Sequence, residues 1–188
     1  MRPLKHLLIG LIVTLTGSAP LWAADLETGF MGIKWGTSIS ELAHFAKISE
    51  RYDISYYVNP QKSYTLFEID IPSVIYGFYE GKFFAAYVNV ETIDVFNQLK
   101  KQLNQKYGSP RTTLDVINDQ KIYNWKYKDA KIKLKLYEKE RIMKLGFYHT
   151  SLSKRVNKTQ REAFPQPRQP AFPLNERKLK DAIDVMGF

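Results

Sequence analysis

Two hydrophobic rhythms alternate along the chain. After Gly36, "TSISELAHFAKI" sets Ile39, Leu42, Ala43 and Ala46 at helical spacing behind Thr37 or Ser38. Glu41 stands three residues after Ser38, the pattern of a capping box, so a first helix is expected to start here. "ISYYVN" and "YTLFEIDI" then read as strands, and "VIYGFYEGKFFAAYVNVE" reads as a hairpin whose turn is Glu80-Gly81. A second helix is expected from about Thr92 to Tyr107, where Val95, Phe96, Leu99 and Leu103 recur, with Gly108 and Pro110 ending it. Three strands follow, "KIYNWKYK", "KIKLKLYE" and "RIMKLGFYH", joined at Asp129-Ala130 and Lys139-Glu140.

This order predicts an α+β fold in which two helix-plus-antiparallel-meander units, about 30–91 and 92–150, form a sheet with helices packed on one face. The single domain is expected over 24–163, with the polar, basic stretch "SLSKRVNKTQREAF" as a possible helix near its end. Residues 164–173, "FPQPRQPAFP", read as a Pro-rich linker of extended character. In 174–188, Asn175 offers an N-cap, and Leu179, Ala182, Ile183 and Met186 form one stripe, which predicts a short C-terminal helix.

The first 23 residues change the setting. Arg2 and Lys5 precede an apolar run from Leu7 to about Thr16, then Gly17, Ser18 and Pro20 interrupt it and Ala23 offers a small residue for cleavage. That is the form of a signal peptide, too short to span a bilayer, and it predicts an exported, periplasmic mature chain that does not cross the membrane after cleavage. The chain has no cysteine, so burial rather than disulfides must hold such a domain together. Charge is divided unevenly: residues 24–91 hold five Lys/Arg against nine Asp/Glu, and residues 92–163 hold seventeen against seven. Such asymmetry points to a directed electrostatic surface.

Catalytic and metal chemistry find little support in the sequence. Beyond the signal segment only His44 and His149 remain, without cysteine, an HExxH pair or an acidic calcium loop, so neither a metal nor a cofactor is expected. Glu68 and Asp70 alternate along one expected strand and could share a face as an acid/base pair, which keeps a hydrolase or enzyme-inhibitor-like protein as an alternative.

The lysines of the second meander carry more. With Asp129-Ala130 as the turn, Lys128 faces Lys131, Lys126 faces Lys133 and Asn124 faces Lys135, while Trp125, Leu134 and their neighbours fill the other face. The next turn sets Lys135 opposite Lys144 and Leu134 opposite Leu145. Like charges placed opposite one another cost about 0.2–1 kcal/mol per pair, so Lys126, Lys128, Lys131, Lys133, Lys135 and Lys144 form a candidate binding face. The first hairpin poses the reverse problem. Strict alternation puts Ile75, Gly77, Phe84 and Ala86 on one face and Tyr76, Phe78, Phe83 and Tyr87 on the other. Both are apolar, so the second face is expected to receive a partner or the C-terminal tail through Leu179 and Ile183.

Gly36-Thr37-Ser38-Ile39-Ser40-Glu41-Leu42 resembles the "GMT…V" helix start of β-lactamase-inhibitor-protein-like domains and of SmpA-type outer-membrane-assembly lipoproteins. Tyr107-Gly108-Ser109-Pro110 with Trp125-Lys126-Tyr127 is similar to their "LGxP…WxY" passage. The opening "GIKWGT" also resembles exported bacterial proteins whose mature domain begins with "G-I-x-W-G-T". The resemblance implies a helix-plus-meander module that binds proteins and catalyses nothing, and it transfers no functional residue. The expectation is a non-enzymatic protein-binding or envelope-assembly module, or an electrostatic binder of anionic envelope polymers or lipids. Its partner is an unidentified protein or anionic envelope component, and nucleic acid is not expected.

Overall fold

Ten of the fifteen elements among the described residues are organised around one antiparallel sheet, in a computed structural model that describes residues 26–115 and 119–163. Two short strands, β1 (Gly29–Phe30) and β2 (Ile33–Lys34), pair with each other, and a 3-10 turn over Ile39–Glu41 follows. The sheet then collects β3 (Ala46–Arg51), β4 (Ile54–Val58), β7 (Val74–Tyr79) and β8 (Lys82–Val90), with the small hairpin β5 (Tyr64–Leu66) and β6 (Ile69–Ile71) set between them in sequence. Helix α1 (Ile93–Tyr107) leads to β9 (Arg111–Asp115), β10 (Gln120–Tyr127), β11 (Ala130–Tyr137) and β12 (Ile142–His149), and helix α2 (Thr150–Ala163) closes the described chain. The strand order is β3-β4-β7-β8-β12-β11-β10-β9, so β8 and β12 join the two halves at the middle.

The main core lies on one face of this sheet. Tyr76, Phe78, Phe83, Ala86, Val88, Ile132, Leu134, Leu145 and Phe147 are buried there under Phe96, Leu99 and Leu103 of α1. The Thr92 hydroxyl accepts a hydrogen bond from the Val95 N–H at 3.2 Å and caps α1, while Gly108, at φ 79°, lets the chain turn out of it. Thr92→Ala should cost about 1 kcal/mol, read as a shift in the denaturation midpoint without a change in slope.

A smaller cluster occupies the opposite face: Ile54, Tyr79, Phe84 and Ala85 pack against Val156 of α2. The two helices therefore cover opposite faces, which corrects the expectation that helices share one. The stretch 150–163 is helical, and Arg155 to Glu80 (2.9 Å) and Tyr79 to Thr159 (2.9 Å) tie it to the β7–β8 turn.

The first expected helix does not form. Phe83 N–H donates to Thr37 O (2.9 Å), and Gly36 and Ile39 donate to Phe83 O (2.8 Å) and Gly81 O (2.9 Å). These bonds draw residues 36–39 along the end of β8, and only one 3-10 turn remains, with the Ser38 N–H bonded to the Glu41 carboxylate at 3.1 Å. Local helix signals are weak against such tertiary pairing. "AKISER" becomes edge strand β3 instead. The two halves are thus unequal: the second is a helix followed by a meander, the first a strand-rich entry without its helix.

"YTLFEIDI" also divides. Phe67 and Glu68 form a two-residue turn with both φ positive, and the strands run on either side of it. Glu68 is therefore in a turn, Asp70 bonds Thr65 across the hairpin at 3.4 Å, and the two carboxylates do not share a strand face.

Candidate functional site

The lysine face is built by the register of the second meander. Lys126 pairs with Lys131, Asn124 with Lys133 and Ile122 with Lys135, while Lys135 pairs with Lys144 and Leu134 with Leu145. The β11–β12 register is the expected one. The β10–β11 register differs by two residues, because the turn is Lys128-Asp129, with Lys128 at φ 48°, rather than Asp129-Ala130. A shift of two keeps every side chain on its expected face, so the lysine face survives while its opposed partners change. Lys128 leaves the set: it sits in the turn and forms an ion pair with Glu27.

The rows continue into the first half. Lys131 lies beside Tyr148 and then Ala85; Lys133 lies beside Gly146 and then Tyr87; Lys144 lies beside Asn89. Tyr56, Tyr87 and Tyr148 form a chain of rings along this face, with centroids 6.0 Å and 5.6 Å apart. The Tyr148 ring lies over Gly146, where an added Cβ would meet its hydroxyl at 2.6 Å, so glycine at 146 makes room for the tyrosine. Lys133 Nζ stands 5.6 Å from the Tyr148 ring centre and Lys144 Nζ 5.8 Å from that of Tyr137. Each ammonium meets the negative face of an aromatic ring.

Electrostatically the face is under load. Burial lowers the Lys133 pKa, and Lys131 lowers it further; burial lowers that of Lys135, with Lys133 and Lys144 adding to the effect and Asp115 partly offsetting it. Burial also raises the hydroxyl pKa of Tyr56, Tyr87 and Tyr148. Among the described residues no carboxylate forms an ion pair with Lys126, Lys131, Lys133, Lys135 or Lys144. Arrays of half-dehydrated ammoniums beside aromatic rings gain from any anion that arrives.

The aromatic docking face expected from the first hairpin is corrected. Tyr76, Phe78 and Phe83 are completely buried in the main core, sealed by Phe45, Tyr57 and Trp35, whose rings lie 5.1, 5.2 and 4.8 Å from them in turn. Tyr87 lies on the opposite face, next to the lysines. A bulge separates them: Gly77 pairs with Ala85 but Phe78 pairs with Phe83, so Phe84 is an extra residue in β8 and alternation reverses across it. Leu179 and Ile183 lie outside the described residues, as do the signal segment, the Pro-rich linker and the expected C-terminal helix.

Sequence reasoning missed Tyr56, Tyr137 and Tyr148 as part of the face. The last was visible in the alternation Lys144, Gly146, Tyr148 along one strand; Tyr87 was hidden by the bulge. Among the described residues no group of three His, Cys, Asp or Glu could hold a metal ion, and no helix is long and apolar enough to cross a membrane. No family model, curated protein or solved structure matches the chain, so the resemblance rests on its own motifs. Two of those residues do meet in the fold: Trp125 Nε1 donates to Gly108 O at 2.9 Å, which locks the end of α1 onto β10.

Proposed function

We propose that the protein is a non-enzymatic, exported binding module of the periplasm that docks an anionic envelope component on the face formed by Lys126, Lys131, Lys133, Lys135 and Lys144. One observation carries this reading: Lys126–Lys131 and Lys135–Lys144 are directly opposed like charges, with no carboxylate paired to them among the described residues. Folding stability alone gains nothing from that arrangement. Successive lysines on β11 recur at about 6.8 Å, two residues of strand rise, and β12 adds Lys144 about 5 Å to the side. An open array of regularly spaced cations with flanking tyrosines fits an extended polyanion, whose charges also repeat along a line.

Dextran sulfate serves as the probe and neutral dextran as its control. With four or five ammoniums engaged, affinity for the sulfated polymer should fall about a hundredfold between 50 and 200 mM salt. Binding that ignores salt, or that is equal for neutral dextran, overturns the proposal.

A further inference from the structure

The two edges of the sheet are finished differently. β3 is exposed along its whole length but carries a bulge between Lys47 and Ser49, with Lys47 and Arg51 along it, the devices that discourage strand addition. β9, at the other end, carries no bulge, and its two charges, Arg111 and Asp115, are of opposite sign. It runs Arg111-Thr112-Thr113-Leu114-Asp115 in regular register with β10, is exposed over its first four residues, and leaves Leu114 63% accessible.

Its sequence is complementary to itself. Two β9 strands placed antiparallel with Thr113 on the two-fold axis set Arg111 opposite the second copy's Asp115, and Asp115 opposite the second copy's Arg111. On the other side of the sheet Thr112 faces the second copy's Leu114, and Leu114 its Thr112. Alternation is preserved only where paired residue numbers share parity, and this register meets that condition. We propose that β9 is the site at which a second copy of this chain adds its own β9, continuing the sheet across the two molecules.

The consequence for the lysine face is geometric. Arg111, Thr113 and Asp115 lie on the same side as Ile122 and hence as Lys135, since Thr113 pairs with Ile122 and Ile122 with Lys135. The pair therefore presents two lysine arrays side by side. The inference extends the polyanion reading but does not depend on it. A five-residue seam is small beside a standard interface, so the dissociation constant is expected on the order of 100 µM.

Sedimentation of the full chain up to about 1 mM, without any ligand, tests the seam. The wild type should shift from monomer to dimer over that range. Arg111→Glu places acid against acid and Asp115→Arg places base against base, so each variant alone should stay monomeric. A 1:1 mixture of the two restores both opposite-charge pairs and should dimerise, as should the double variant. Both positions are on the surface strand, and unchanged far-UV circular dichroism confirms that each variant folds. A monomeric wild type at 1 mM, dimers in either single variant, or a mixture that stays monomeric overturns the proposal. Polyanion binding by a chain that remains monomeric would remove the seam and leave the lysine face standing.

Discussion

Phe83→Ala is expected to destabilise the protein by about 3–5 kcal/mol, the range for emptying a buried aromatic site. Phe83 is fully buried and lies within 5.6 Å, centre to centre, of Tyr76 and Phe78, with Trp35 stacked on it at 4.8 Å. Trp35 comes from the entry segment, far in sequence from the β7–β8 hairpin that carries the other rings, so the cavity would have walls on separate elements and could not close by one local movement. The same residue's backbone holds residues 36–37 against β8, so loosening the ring also loosens the entry loop. For a domain of this size, each kcal/mol moves the melting temperature by about 2–4 °C, so a fall near 10 °C or more is expected. A fall under about 2 °C would mean that Phe83 is not in the sealed core, and would revive the reading of this face as a partner surface.

That residue also marks the limit of what could be read from the sequence. Strict alternation from Lys82 to Val90 groups Phe83 with Tyr87, and the bulge at Phe84 separates them. Nothing local announces the bulge, because both faces of the strand are apolar and neither parity is penalised by its composition. Where one face is polar the reading succeeds: in β11 lysine alternates with isoleucine and leucine, and the register with β12 follows directly. The β10–β11 register was off by two because the turn falls one residue earlier, at Lys128-Asp129, an error that period-2 patterning cannot detect.

The first helix failed for a different reason. Ser38 and Glu41 carry a real cap signal, and the bond between them forms. But Ile39, Leu42 and Phe45 are all needed against the core, and backbone pairing to Gly81 and Phe83 competes for the same residues. A short helix worth little by itself gives way to those contacts. The second helix has no such competitor and lies within the expected bounds. The lysine face was thus legible from period-2 alternation, whereas its tyrosine border depended on a bulge and on pairing between halves.

Replacing Lys131, Lys133, Lys135 and Lys144 with Gln should abolish binding to dextran sulfate and raise stability at the same time. Loss of four ammoniums removes the contacts that make affinity depend on salt, so retention at 50 mM salt should fall by a hundredfold or more. Neutralising Lys100, Lys101 and Lys106 on α1, the helix that covers the opposite face of the sheet, removes three charges from another surface and should leave most of the binding in place. That comparison separates a site from the general attraction of a basic protein for a polyanion. Stability moves the other way, because the variant removes the Lys126–Lys131 and Lys135–Lys144 repulsions, each worth about 0.2–1 kcal/mol. The pH dependence provides the check. Folding depresses the Lys133 and Lys135 pKa values, so the unfolded chain binds more protons between those lowered values and the ordinary 10.5. Wild-type stability therefore recovers as pH rises through that window, and the gain of the variant over wild type should shrink toward alkaline pH. Tyr56, Tyr87 and Tyr148, whose raised pKa values withdraw stability above the ordinary value of 10.0, are present in both proteins and largely cancel in the difference. A variant that is less stable than wild type, or whose advantage grows with pH, would show that the lysines support the fold and would remove the reason for assigning them to a ligand.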